Sequence, residues 1–237
     1  MGSPWEEWCR KKEGTVEPEI TRLAEIFRSK GVRRILDVGC GAGRHVLFFA
    51  ENGFEVYGFD QSQEAVEQAK KNLAQKKLGA SLRVWNMVDP LPYEAGFFDA
   101  VLAVRVIHHT YLKNIERIFA ELDRVTRVDG FLFLQVPSYE TEIESKPDDP
   151  GTRWAEPGTL IARSGPEKGV LHHFFKKEEL LRNLAKYEIR EIHAGSDHYG
   201  GYCVIARKYG RRNTESTRLG LGEHEASSTS HFKTVRT

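Results

Sequence analysis

Asp37, Gly39, Gly41 and Gly43 are the residues whose types and spacing first suggest chemistry. They alternate through Ile35-Leu36-Asp37-Val38-Gly39-Cys40-Gly41-Ala42-Gly43-Arg44-His45, an apolar run that breaks into glycine. The run reads as a buried parallel strand, and Val46, Leu47, Phe49 and Ala50 then recur at helical spacing. Strand, tight turn and helix are expected in that order. Glycines leave the backbone bare, and the first N–H groups of a helix are unpaired, so a nucleotide-like ligand can approach closely. The dinucleotide pattern G-x-G-x-x-G would put its third glycine at Arg44, whereas this chain has it at Gly43. Asp37 would repel a pyrophosphate but can accept hydrogen bonds from an ammonium group. The pattern therefore favours a zwitterionic ligand over a nicotinamide dinucleotide.

The elements that must position this turn follow from the rest of the chain. At 237 residues, with 40% apolar residues, the sequence suits one α/β domain with additions. The formal net charge is +1, so nothing demands a polyanionic partner. No apolar run approaches the roughly 20 residues that span a bilayer, and Met1–Arg10 has no signal-peptide core, so a soluble cytoplasmic protein is expected. Cys9, Cys40 and Cys203 never form C-x-x-C. His108-His109 and His172-His173 are adjacent pairs, and neighbours on a helix or strand do not share a face, so no metal site is expected.

Along the chain, residues 1–33 form an N-terminal segment with Trp5 and Trp8, then a helix whose stripe is Ile20, Leu23, Ala24 and Phe27, stopped by Gly31. Glu55–Phe59 is a second strand closing on Asp60, about 20 positions past the first glycine, where a carboxylate can hydrogen-bond a ribose diol. Ser62 can cap the following helix by itself. Ser81–Trp85 and Ala100–Val104 read as strands three and four, and Phe131–Val136 as strand five after a helix stopped at Asp129-Gly130. Residues 137–169 are irregular, rich in Pro, Gly and acid, and too long for a mere connection; a substrate lid at the carboxyl end of strand five is expected. A short helix and a hairpin of Ile189–His193 and Tyr202–Arg207 complete a domain over 34–208, and polar 209–237 reads as a disordered tail.

The D-x-G-x-G-x-G stretch at Asp37–Gly43, with Asp60 after the second strand, Asn86-Met87 after the third, Leu-Pro-Tyr at 91–93, Phe98-Asp99-Ala100-Val101 and Val106-Ile107-His108-His109, resembles the class I S-adenosylmethionine-dependent methyltransferases. Gly43-Arg44-His45 with Ala50, Gly53 and Val56, and the later Phe-Phe-x-x-x-Glu-Leu, are similar, more loosely, to tellurite-resistance-type small-molecule methyltransferases. The resemblance implies a doubly wound, mostly parallel seven-stranded sheet with an antiparallel last strand. It implies S-adenosylmethionine as cofactor, S-adenosylhomocysteine as product and an acceptor that is a small molecule; a tRNA or protein acceptor, or a non-catalytic cofactor-binding protein, are the alternatives. It places the cofactor on Asp37, Gly39, Cys40, Gly41, Gly43, Arg44, Asp60, Gln61, Asn86, Met87 and Val104, with Asp60 at the ribose and Asn86 and Met87 at the adenine. Asn86 stands where the family has Asp, and its amide keeps an acceptor while adding a donor. Methyl transfer from a sulfonium needs alignment and exclusion of water, and sometimes removal of a proton. Candidate bases are His108, His109, Tyr139, His172 and His173, the histidines because their ordinary pKa lies near neutrality.

Overall fold

The structure, a computed structural model, describes residues 16–142, 151–165, 167–194 and 201–210. Trp5, Trp8, most of the acidic cluster at 144–149 and the tail beyond 210 lie outside the described residues.

Seven strands form one sheet in the order β3-β2-β1-β4-β5-β10-β9. They are β1 (Arg34–Val38), β2 (Glu55–Asp60), β3 (Ser81–Val84), β4 (Phe98–Val104), β5 (Thr126–Val136), β9 (Tyr187–Ala194) and β10 (Tyr202–Lys208). The first five run parallel, while β10 is antiparallel to both β5 and β9. This is the class I methyltransferase fold. Helices α1 (Pro18–Ser29), α2 (Arg44–Glu51), α3 (Gln63–Gln75) and α4 (Leu112–Val125) connect or flank the strands.

Both faces of the central strands are apolar because both are covered. In β4, Val101 and Ala103 join the core under α4, whereas Ala100 and Leu102 join the opposite core under α1 and α2. In β5, Leu132, Leu134 and Val136 alternate in the same way with Phe131 and Phe133. The period of two expected of strands thus splits one sequence run between two cores.

Asp129-Gly130 does not stop α4, as the sequence suggested. The helix ends at Val125, where the Thr126 hydroxyl bonds the Leu122 carbonyl at 2.6 Å, and β5 begins at Thr126. Asp129 takes φ 62, and a Cβ at residue 130 would stand 2.8 Å from the Arg127 carbonyl oxygen, so the pair makes a kink inside the strand.

The segment after β5 is also more regular than its composition suggests. A short helix, α5 (Tyr139–Glu142), precedes β6 (Thr152–Glu156), β7 (Thr159–Ala162) and β8 (Leu171–His173), which pair into a separate antiparallel sheet. Helix α6 (Lys177–Asn183) follows. Pro157 and Gly158, the latter at φ 77, make the turn between β6 and β7, and Gly165 and Gly169, at φ 73 and 85, lie in the loop between β7 and β8.

Candidate cofactor and acceptor site

Strand order reverses between β1 and β4, and the residues singled out from sequence gather at the carboxyl ends of the strands around this switch point. Gly39, Gly41 and Gly43 all take positive φ, at 66, 52 and 85. Gly43 is the N-cap of α2, and a Cβ there would stand 2.8 Å from the Ala69 Cβ, so its role is to let α2 pack on α3. Gly39 and Gly41 instead line two adjoining recesses of about 110 and 90 Å³, which also share Val104 and Arg105.

The smaller recess holds Asp37, Cys40, Arg44 and His45. Asp37 is 2% exposed, and its Oδ2 has no hydrogen-bond partner among the described residues. Burial pushes its carboxyl up to about 6. A buried carboxylate oxygen without a partner is costly. It is the group that a ligand's ammonium would satisfy. Glu17, just before α1, also lines this recess, accepting from Arg44 at 2.7 Å and meeting His45 Nε2 at 3.0 Å. Burial alone would raise Glu17, but the bond and charge of His45 and the charge of Arg44 outweigh it and bring the carboxyl to about 2.

The larger recess holds Phe59, Asp60, Gln61, Trp85, Asn86, Met87, Val106 and His109. Asp60 accepts from the Gly41 N–H at 3.0 Å and the Ser62 N–H at 2.9 Å, bracing the glycine turn against β2. Ser62 caps α3 through Ala65 N–H at 3.2 Å, so Asp60 is not spent on capping. Asn86 Oδ1 accepts from Val88 N–H at 3.2 Å. Sequence reasoning missed Glu17, Phe59, Trp85 and Val106. Pro18 at the start of α1 marks Glu17 as a helix edge, but nothing local shows that its carboxylate reaches residue 44.

The five candidate bases divide between two places. His108 and His109 lie on a turn beyond β4, after Arg105 at φ 52, where the rule that neighbours do not share a face fails. Their ring centroids are 3.8 Å apart, and His172 on β8 stands 4.9 Å from His109. Burial pushes His108 well below its ordinary value and His109 down to about 3. His173 and Tyr139 line a different cavity of about 760 Å³, with Trp154, Phe174, Lys176 and Arg182. There His173 is pinned between Thr159 Oγ1 at 2.9 Å and Glu179 Oε1 at 2.8 Å.

Known proteins agree with this geometry. Residues 36–134 match a methyltransferase domain family. A malonyl-acyl-carrier-protein O-methyltransferase of Legionella pneumophila is 34% identical over 130 residues, covering 49% of this chain and 42% of its own. The chain spans about half the length of the curated relatives it matches. A SAM-dependent methyltransferase from Methanosarcina mazei is 25% identical, with a TM-score of 0.67 over 83% of this chain and 99% of its own. TehB from Haemophilus influenzae shares the fold, at 16% identity and a TM-score of 0.63 over 86% and 67%. Other relatives are named for ubiquinone biosynthesis or tRNA modification, so likeness does not single out an acceptor. No described helix is long and apolar enough to cross a membrane. The matched stretch begins inside β1 and ends inside β5, spanning the glycine turn and the switch point, and on that ground residues 36–134 form a methyltransferase domain on the class I fold, with S-adenosylmethionine as its cofactor.

Proposed function

We propose that this chain transfers a methyl group from S-adenosylmethionine to a small molecule that enters beside His109 and His172. The observation that carries the reading is the course of the paired recesses, from Asp37 Oδ2, which has no hydrogen-bond partner among the described residues, to the His109 ring. Asp37 would take the ammonium of the amino-acid end, with Glu17 and Arg44 beside it. Asp60 keeps lone pairs for the ribose hydroxyls, while Asn86, Met87 and Phe59 would line the base. When bound, S-adenosylmethionine supplies an electrophilic methyl on a sulfonium, and with it the driving force.

The chain's own part is to align the acceptor, exclude water and handle its proton. The described residues of 137–169, with β8, would serve as the cover: β8 is held on the turn after β4 by His173 N–H to the His108 carbonyl at 2.8 Å. A net charge of +1 supports a small acceptor over a polyanionic one.

The test is calorimetric binding of S-adenosylhomocysteine, followed by incubation with methyl-labelled S-adenosylmethionine and fractionated cell extract. Label in the small-molecule fraction is expected. Label in tRNA or protein would replace the acceptor class, and tight cofactor binding with no transfer to any fraction would overturn catalysis.

A further inference from the structure

We propose that His108, His109 and His172 form a binding site for one divalent first-row transition-metal ion, of which Zn(II) is the reference case, at the acceptor end of the cofactor cavity. One ring nitrogen from each lies within 4.8 Å of the other two. Tetrahedral coordination at about 2.1 Å sets nitrogens roughly 3.4 Å apart, so the rings need to close by about 1.4 Å, within the reach of side-chain rotation.

Three features separate this cluster from a chance meeting of histidines. The first is the backbone. The turn carrying His108 and His109 is bound to β8 on both sides of His172, through His173 N–H to the His108 carbonyl at 2.8 Å and His109 Nδ1 to the Leu171 carbonyl at 3.1 Å. The fold thus brings the three rings together before any ion arrives.

The second is the set of outer partners. A carbonyl only accepts, so His109 Nδ1 carries the hydrogen and its lone pair falls on Nε2. His172 Nε2 stands 3.4 Å from Glu167 Oε2, an arrangement in which the carboxylate takes the Nε2 hydrogen and leaves the lone pair on Nδ1. A carboxylate or carbonyl behind a ligating imidazole is the usual way proteins orient such ligands. The third is His108 Nδ1, a buried nitrogen with no hydrogen-bond partner among the described residues. Burying a polar atom unpaired is unfavourable, and coordination would relieve it.

Three neutral nitrogen donors leave a coordination position for a further ligand, and this donor set suits borderline ions such as Zn(II) over Mg(II) or Ca(II). His109 also lines the cofactor cavity, so that position opens toward it. Resting on the methyl-transfer reading, the ion would select acceptors with an oxygen donor, a hydroxyl or carboxylate, next to the atom receiving the methyl group.

The test uses untagged full-length protein stripped by chelator, loaded with Zn(II) or Co(II), desalted and measured for bound metal by mass spectrometry, with visible spectra for Co(II). We expect one ion per chain and Co(II) ligand-field bands. His172→Ala should lose both, and Glu167→Gln should weaken binding about 10- to 100-fold. Circular dichroism and thermal unfolding check the folding of every sample, and binding of S-adenosylhomocysteine is measured alongside. Wild-type protein that binds the nucleoside but retains no metal overturns the site and leaves the methyl-transfer reading standing. Equal metal retention by folded His172→Ala also overturns it. Metal retained without nucleoside binding supports the site and counts against the methyl-transfer reading instead.

Discussion

Gly39 and Val106 are packed so closely that a Cβ built on residue 39 would stand 2.2 Å from Val106 Cγ2 and 2.9 Å from its Cβ. The glycine turn after β1 and the turn after β4 therefore touch with no room between them. Gly39→Ala is expected to destabilise the protein by about 2–4 kcal/mol, from left-handed backbone strain plus overpacking. It should also abolish S-adenosylhomocysteine binding. Adding Val106→Ala should restore only part of the stability, because the Val106 Cβ remains and φ at residue 39 stays positive. Thermal unfolding and calorimetry of the two variants check this, and full recovery in the double variant would contradict it.

Asp37 sets a pH dependence. Burial raises its folded pKa to about 6, above the ordinary 3.8, so the native apo-protein binds this proton more tightly than the unfolded chain. Its contribution to stability is full below about pH 4 and is lost as pH rises through 6, up to about 3 kcal/mol in all. Ligand binding should run the other way, strengthening as Asp37 ionises between pH 5 and 7. Asp37→Asn is expected to flatten both profiles, raise the apo unfolding temperature at pH 8 and weaken S-adenosylhomocysteine binding roughly 10- to 100-fold. An unchanged binding profile in the variant would show that another group carries it.

Asp60 cannot be read by alanine substitution alone. Its two oxygens accept from Gly41 and Ser62, so Asp60→Ala leaves two backbone donors without partners and should cost about 1–3 kcal/mol before any ligand is considered. A ribose role requires that binding fall by more than the stability loss explains. Comparing S-adenosylhomocysteine with its 2′-deoxyribose analogue on wild-type protein isolates the hydroxyl contact, and equal affinities would remove it.

His173 should behave as a structural pin. Removing its ring in His173→Ala separates Thr159 from Glu179 and is expected to cost about 1–3 kcal/mol, with nucleoside affinity unchanged. A loss of methyl transfer at full stability and full cofactor affinity would return His173 to the list of reacting groups.

The sheet and the glycine turn were legible in the sequence because both rest on local signals. Alternation in β4 and β5, glycine at Gly39–Gly43 and a strand ending on Asp60 are readable without knowing what lies opposite. What escaped was set by distant partners. Glu17 reaches Arg44 across the fold, and Val106 closes on Gly39. Asp129-Gly130 has the composition of a helix stop, but Asp99 and Arg127 pack around Gly130 within a strand. The adjacency argument against a shared ligand for His108 and His109 presumed regular structure, and a turn makes no such promise.

The sheet of β6, β7 and β8, with the residues beside it, is stitched to the ends of β4 and β5 by main-chain atoms. His173 N–H meets the His108 carbonyl, Phe175 N–H the Pro137 carbonyl and Tyr139 N–H the Phe175 carbonyl, at 2.8, 3.0 and 2.9 Å. None of these bonds specifies a side chain. Outside Glu156, Thr159 and His173, whose side chains make ties of their own, amino-acid replacements across β6, β7 and β8 can therefore redraw the acceptor side of the proposed site without disturbing where these strands sit, so substrate taste can drift while the hinge line is inherited intact.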